Sequence, residues 1–211
     1  GVTPEWEDTD RLLDAISAAA EGGMSALQWR RKTSTAEQRR RQLQRVADLC
    51  KTLAIPLIVN DDWRLAADVQ ADGVHMGRDD GDPTQARLAL GPSRILGCSC
   101  YNQRALAAQA LAADADYIAF GAMYPSRIKP DAVAAGLEDI EQGRMLAESA
   151  AAGRRAAVVA IGGITADNAA PLIHAGADSV AVISGLFDSP DIRGTAGRFR
   201  DCFAGLSFTT L

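Results

Sequence analysis

Histidine is scarce: His75 and His174 are the only two among 211 residues. A nucleophilic triad built on histidine therefore has little support. His75 lies in an apolar run and reads as a core or supporting group. His174 falls near the end of a helical pattern, where a partial positive charge is favourable. The four cysteines, Cys50, Cys98, Cys100 and Cys202, have neither zinc-site spacing nor the pattern of a disulfide framework. Cys98 and Cys100 share one face if their segment is a strand, and read as two buried thiols rather than a redox or metal pair. No apolar run reaches the ~20 residues of a membrane helix. No basic start followed by an apolar stretch marks a signal peptide, and the cytoplasm is the expected location. There is no excess of positive charge: the net charge is -5 and the pI about 5.1, which argues against a nucleic-acid partner.

What is present is an ordinary globular composition, 47% hydrophobic and 23% charged, with no Ser-rich linker or low-complexity tract. One domain over residues 1–211 is expected. The length is below the ~250 residues of a typical eight-stranded α/β barrel. Short Val-, Ile- and Leu-rich runs predict strands at Met24–Trp29, Ile55–Asn60, Gly73–Met76, Ile95–Ser99, Tyr117–Gly121, Ala157–Ile161 and Ser179–Ile183. Between them, amphipathic patterns predict helices at Thr9–Glu21, Thr35–Leu53, Trp63–Val69, Pro83–Leu90, Gln103–Ala112, Leu137–Ala152, Ala166–Ala175 and Asp191–Phe203. Thr35 and Gln38 have capping-box spacing, and Pro83 suits a first helical turn.

Three segments echo one another: Ala71-Asp-Gly-Val-His75, Asp114-Ala-Asp-Tyr-Ile118 and Gly176-Ala-Asp-Ser-Val180. Each is an acidic turn entering an apolar strand. Strands alternating with helices throughout predict a parallel sheet with helical crossovers. A (β/α)8 TIM barrel is the leading architecture, with Val2-Thr3 as the tail of a largely truncated first strand. A doubly wound open sheet is the alternative.

In a barrel of this kind the active site forms at the C-terminal ends of the strands. The polar residues here gather at those ends: Gln28 to Lys32, Asn60 to Asp62, Gly77 to Asp80, Ser99 to Asn102 and Tyr124 to Lys129. Gly162-Gly163 and Ser184-Gly185 close the last two strands, where backbone N–H groups can approach a phosphate. Arg30, Lys32 and Lys129 would face the mouth as phosphate ligands. Arg31 reads as part of a solvated rim, and Arg39, Arg40, Arg41 and Arg45 as a solvated helix face. Asp61 and Asp80 could hold Mg²⁺ together with phosphate oxygens. Helix capping by Asp61 or Asp62, and by Asp80 or Asp82, is the competing reading.

The motifs Gln28-x-Arg30-x-Lys32, Asn60-Asp61, Ala71-Asp-Gly-Val-His75-x-Gly77-x-x-Asp80, Gly97-x-Ser99, Gly121-x-x-x-Pro-Ser126-x-x-Lys129, Ile161-Gly-Gly-Ile164 and Ile183-Ser184 occur in order. Together they resemble the thiamine phosphate synthase family from about Val2 to Phe187. The resemblance implies a (β/α)8 barrel that condenses a hydroxymethylpyrimidine diphosphate with a thiazole phosphate. The products would be thiamine phosphate and diphosphate, formed by dissociative loss of diphosphate. It also implies that Gln28, Arg30, Lys32, Asn60 and Lys129 hold the pyrimidine diphosphate and that Asp61 and Asp80 bind Mg²⁺. Ser99 and Lys129 would act at the reacting centre. Ser126, Arg127, Ile128, Gly163, Ile183 and Ser184 would take the thiazole phosphate. Ile128 departs from the family's Thr, and Arg127 beside it offers a charge in place of the hydroxyl. Small molecules are the implied partners, with no nucleic acid and no membrane; a homodimer is left open. The rival readings are a thiazole tautomerase, a sugar-phosphate epimerase or isomerase, and a non-catalytic binder of thiamine precursors on the same barrel.

Overall fold

The computed structural model describes residues 1–125, 132–151 and 153–204. Seven strands and nine helices alternate along them. The order is α1 (Thr9–Gly22), β1 (Leu27–Trp29), α2 (Ala36–Leu53), β2 (Leu57–Asn60), α3 (Trp63–Asp68), β3 (Gly73–Met76), α4 (Pro83–Leu90), β4 (Ile95–Tyr101) and α5 (Arg104–Ala112). There follow β5 (Tyr117–Phe120), α6 (Leu137–Ala150), β6 (Ala157–Ile161), α7 (Ala170–His174), β7 (Ser179–Ala181), α8 (Ser184–Phe187) and α9 (Ile192–Ala204). The strands form one all-parallel sheet in sequential order, β1 to β7. That order agrees with an α/β parallel-sheet fold and differs from the strand reversal of a doubly wound sheet.

The chain start touches both ends of this sheet. Val2 pairs in parallel with Gln28 of β1, and Gln28 N–H donates to the Gly1 carbonyl at 2.7 Å. On its other side, Val2 N–H donates to the Val182 carbonyl, just beyond β7, at 2.9 Å.

Local sequence explains the helix ends. Thr35 and Gln38 form the expected capping box of α2. Asp8 caps α1, and Gly23 ends it in a left-handed conformation. Asp82 caps α4 ahead of Pro83, and Asp62 caps α3 by accepting from Leu65 N–H at 2.9 Å. The apolar faces of these helices pack on the outside of the sheet through residues such as Leu43, Val46, Ala86 and Ile140.

The three echoed acids share one task. Asp72, Asp116 and Asp178 each stand before a strand (β3, β5, β7) and accept from the first backbone N–H groups of the preceding one. Their partners are Leu57, Leu96 and Val158, at 2.7, 2.8 and 2.8 Å. This pins the strands at the end opposite the polar loops. Arginines reinforce it: Arg87 and Arg154 meet Asp116, while Arg144 and Arg155 meet Asp178.

Three expectations change in detail. The strands at Met24 and Ile55 start later, because the residues before them serve as helix-to-strand turns. The helix expected at Ala166 begins at Ala170, since Asn168 Oδ1 takes the Thr165 N–H in a turn. The segment after β7 forms α8, which is too short to leave a periodic signal.

Candidate active site

Period-2 alternation sorts the residues at the end of β1. Gln28, Arg30 and Lys32 line a cavity, while Trp29 and Arg31 point the other way and are buried. Trp29 Nε1–H donates to Gln42 of α2 at 3.2 Å. Arg31 is therefore not a solvated rim residue: its guanidinium donates to Ser34 Oγ at 2.9 Å and to the Trp6 carbonyl at 2.8 Å. Glu5 organises the inward cations. It pairs with Arg30 at 3.1 Å and accepts from the Lys32 backbone N–H at 3.0 Å.

The cavity encloses about 480 Å³ above the sheet. Asn60, at the end of β2, and Asp61, just beyond it, form one wall, with Gly77 to Asp80 after β3 beside them. Ser99 and Tyr101 of β4, Gly121 and Ala122 after β5, and Gly162 after β6 complete the ring, with Ile183 opposite. A more open groove of about 550 Å³ shares Lys32, Asn60, Asp61 and Asp80 and runs past Trp63 and Arg64.

Asp61 and Asp80 come together although they lie on different loops. Asp61 has a positive φ of 68° and its carboxylate meets Lys32 Nζ at 3.0 Å. Asp80 accepts from the Gly77 N–H at 2.6 Å. The two carboxyls are near enough to shift one another's titration in opposite directions. Burial pushes Asp61 up, but Lys32 and the neighbouring Asp80 outweigh it and hold the group below the usual carboxylate range. Burial and the neighbouring Asp61 hold Asp80 above that range, against the Gly77 N–H. The capping alternative is resolved by the neighbours, because Asp62 and Asp82 cap the helices and Asp61 and Asp80 face the cavity.

A polar chain lies under the cavity floor. His75 of β3 has Nε2 2.7 Å from Ser99 Oγ and Nδ1 2.9 Å from the Tyr117 hydroxyl. Gln28 lies near the same phenol and favours its charged form slightly, against the larger effect of burial. Burial pushes the Tyr117 phenol well above its usual range, so it keeps its proton. The Tyr117 ring fits because residue 97 is glycine; a Cβ there would lie 1.9 Å from a ring carbon.

A family model described as thiamine monophosphate synthase matches residues 1–186. The chain belongs to this family. The thiamine-phosphate synthase of Bordetella pertussis is 51% identical over 207 residues, covering 98% of this chain and 94% of the relative. That of Thiobacillus denitrificans is 50% identical over 205 residues, covering 96% and 93%. Among solved structures, the thiamine phosphate pyrophosphorylase of Pyrococcus furiosus aligns with a TM-score of 0.80 at 29% identity, covering 96% of this chain and 93% of that one.

Of the positions that the resemblance to the thiamine monophosphate synthase family singled out, Gln28, Arg30, Lys32, Asn60, Asp61, Asp80, Ser99 and Ile183 line one cavity. Gly163 and Ser184 lie beside it and are not among its lining residues. Gly163 has a φ of 63°, and a Cβ there would lie 2.6 Å from the Pro125 carbonyl oxygen and 2.7 Å from that of Tyr124, so a close backbone approach already requires glycine there. Ser126, Arg127, Ile128 and Lys129 fall outside the described residues. The sequence reading missed Tyr117, Arg78 and Tyr101. The register pair Gly97↔Tyr117 was the available signal for the first: a glycine facing a tyrosine across neighbouring strands leaves room for the ring.

Proposed function

We propose that this chain joins a hydroxymethylpyrimidine diphosphate to a thiazole phosphate, giving thiamine phosphate and releasing diphosphate. It is a transferase by this reading. The observation that carries it is the convergence of Gln28, Arg30, Lys32, Asn60, Asp61, Asp80 and Ser99 on one cavity. Its curated relatives bear the name of that activity over nearly the whole chain.

Mg²⁺ is the cofactor in this proposal, held by Asp61 and Asp80. The donor set fits: two neighbouring carboxylates line one cavity with room for water and phosphate oxygens. When bound, the cation supplies electrostatic stabilisation of the charge that collects on the departing diphosphate. Arg30 and Lys32 add fixed positive charge at the same wall, already oriented by Glu5 and Asp61. Gln28 and Asn60 offer amide groups to the pyrimidine substrate, and Ser99 its hydroxyl beside the reacting ring. The methylene–oxygen bond breaks with its electron pair leaving on diphosphate. The amino-pyrimidine delocalises the resulting positive charge. The thiazole nitrogen then gives its lone pair to the methylene carbon. No strong base is required.

Gly163, Ile183 and Ser184 take the thiazole phosphate in this reading. Ser126, Arg127, Ile128 and Lys129 enter it from the sequence alone. The same reading takes Val2-Thr3 as the tail of the first strand of a single-domain (β/α)8 barrel. The bonds of that segment to Gln28 and Val182 support it. A cytoplasmic location is part of the proposal. Purified protein given both substrates and Mg²⁺ should release diphosphate, and omission of either substrate should stop it. Substrate binding with no turnover would overturn the transferase reading.

A further inference from the structure

Three described cations line the cavity: Arg30, Lys32 and Arg78. Two are anchored by carboxylates, Arg30 by Glu5 and Lys32 by Asp61. Arg78 differs. It sits in the loop after β3, two residues before Asp80, and is exposed. Among the described residues its guanidinium makes no ion pair or hydrogen bond, although Asp61, Asp79 and Asp80 line the same cavity. It rests instead on the Tyr101 ring, 4.7 Å from the centroid.

Tyr101 is itself held in an unusual place. The β4–β5 register shifts between Ser99 and Tyr101, and Tyr101 has a φ of 57°. A bulge with a left-handed, non-glycine residue turns a side chain out of its ordinary strand direction at a local energetic cost. Here the ring lines the cavity wall, with its hydroxyl over Gly77 and without a hydrogen-bond partner among the described residues. A guanidinium stacked on an aromatic ring keeps its N–H edges available for oxygen ligands.

We infer that Arg78, parked on Tyr101, is a further ligand for the diphosphate of the pyrimidine substrate. This rests on the proposed transferase reading. The position selects the diphosphate over the thiazole phosphate, because Arg78 shares the Asp80 loop. Gly163 and Ser184, by contrast, follow β6 and β7, on the far side of β5. Among the described residues Arg78 has no acidic partner to give up, so its N–H groups can meet the incoming oxygens with little competing loss. Tyr101 is the positioning residue that holds the guanidinium over the mouth.

The test is steady-state kinetics of Arg78→Gln, Arg78→Lys and Tyr101→Leu, with each substrate varied in turn, alongside calorimetric titration with inorganic diphosphate and Mg²⁺. Arg78→Gln should raise KM for the pyrimidine diphosphate and weaken inorganic diphosphate binding about ten- to hundredfold, the range of one charge-assisted contact. KM for the thiazole phosphate should hold. Arg78→Lys should recover part of the loss, and Tyr101→Leu should reproduce a smaller version of it. Unchanged pyrimidine KM and diphosphate affinity in Arg78→Gln, or a shift confined to the thiazole KM, would overturn the inference while wild-type turnover stands. Absence of wild-type turnover with both substrates would instead overturn the transferase reading on which it rests.

Discussion

His75 Nε2 lies 2.7 Å from Ser99 Oγ, and this contact orders a longer chain of hydrogen bonds. The protonated Tyr117 lies 2.9 Å from Nδ1 on the other side of the imidazole. In the tautomer where the protonated Tyr117 donates to His75 Nδ1, His75 Nε2–H donates to Ser99 and leaves the Ser99 hydroxyl hydrogen for the cavity.

Tyr117→Phe should therefore lower kcat with little change in KM. Loss of the hydroxyl leaves His75 Nδ1 without that donor and releases the tautomer. A fall of about tenfold in kcat and a stability loss of about 1 kcal/mol are expected. Steady-state kinetics and urea unfolding check both numbers, and an unchanged kcat would separate Ser99 from this chain.

Gly97→Ala probes the same floor by volume. The added methyl would meet the Tyr117 ring at 1.9 Å, so the ring must move. Overpacking of this kind costs about 1–3 kcal/mol. Thermal unfolding should show that loss, and kcat should fall as in Tyr117→Phe.

The neighbouring acids should separate cleanly into two classes. Asp62→Ala and Asp82→Ala remove helix caps and should each cost about 1 kcal/mol while turnover persists. Asp61→Ala and Asp80→Ala should abolish turnover. Asp61→Ala should change stability less, because it relieves Asp80 of a like-charged neighbour, whereas Asp80→Ala also removes the acceptor of the Gly77 N–H. Paired activity and urea-unfolding measurements on the four variants decide it.

Asp178 links stability to acid. Burial pushes its carboxyl up, but Arg155 and the Val158 N–H outweigh this and hold it below the usual range. Its folded pKa is thus lower than its unfolded value, so its contribution is complete above about pH 4 and is lost as pH falls through the folded value. Asp178→Ala should destabilise the protein by about 1–2 kcal/mol near neutral pH, since it leaves the Val158 N–H without its acceptor and removes one partner each from Arg144 and Arg155, which keep Glu148 and the Ala156 carbonyl. Urea titrations against pH should bring variant and wild type together at low pH.

The sequence made the parallel αβ order legible because its signals are local. Thr35 with Gln38, Pro83 after Asp82 and the apolar runs each declare an element within a few residues. The seven cavity-lining positions from Gln28 to Ser99 were legible for a related reason, since strand ends in sequential order place their loops side by side. What escaped depends on distant partners. Arg31 looked solvated because its acceptor at Trp6 is 25 residues away and the alternation of β1 turns it outward. Tyr117 sat at the start of its strand, and only the register with Gly97 places its ring under the cavity. Asp61 and Asp62 are adjacent and identical in type; the positive φ at Asp61 separates the cavity-lining carboxylate from the cap.

The central claim is tested most directly by diphosphate release from purified protein, measured with both substrates and with Mg²⁺ present or chelated. The account predicts release only when pyrimidine diphosphate, thiazole phosphate and Mg²⁺ are together, and none from Asp80→Ala. Equal release after chelation, or full activity in Asp80→Ala, would contradict it.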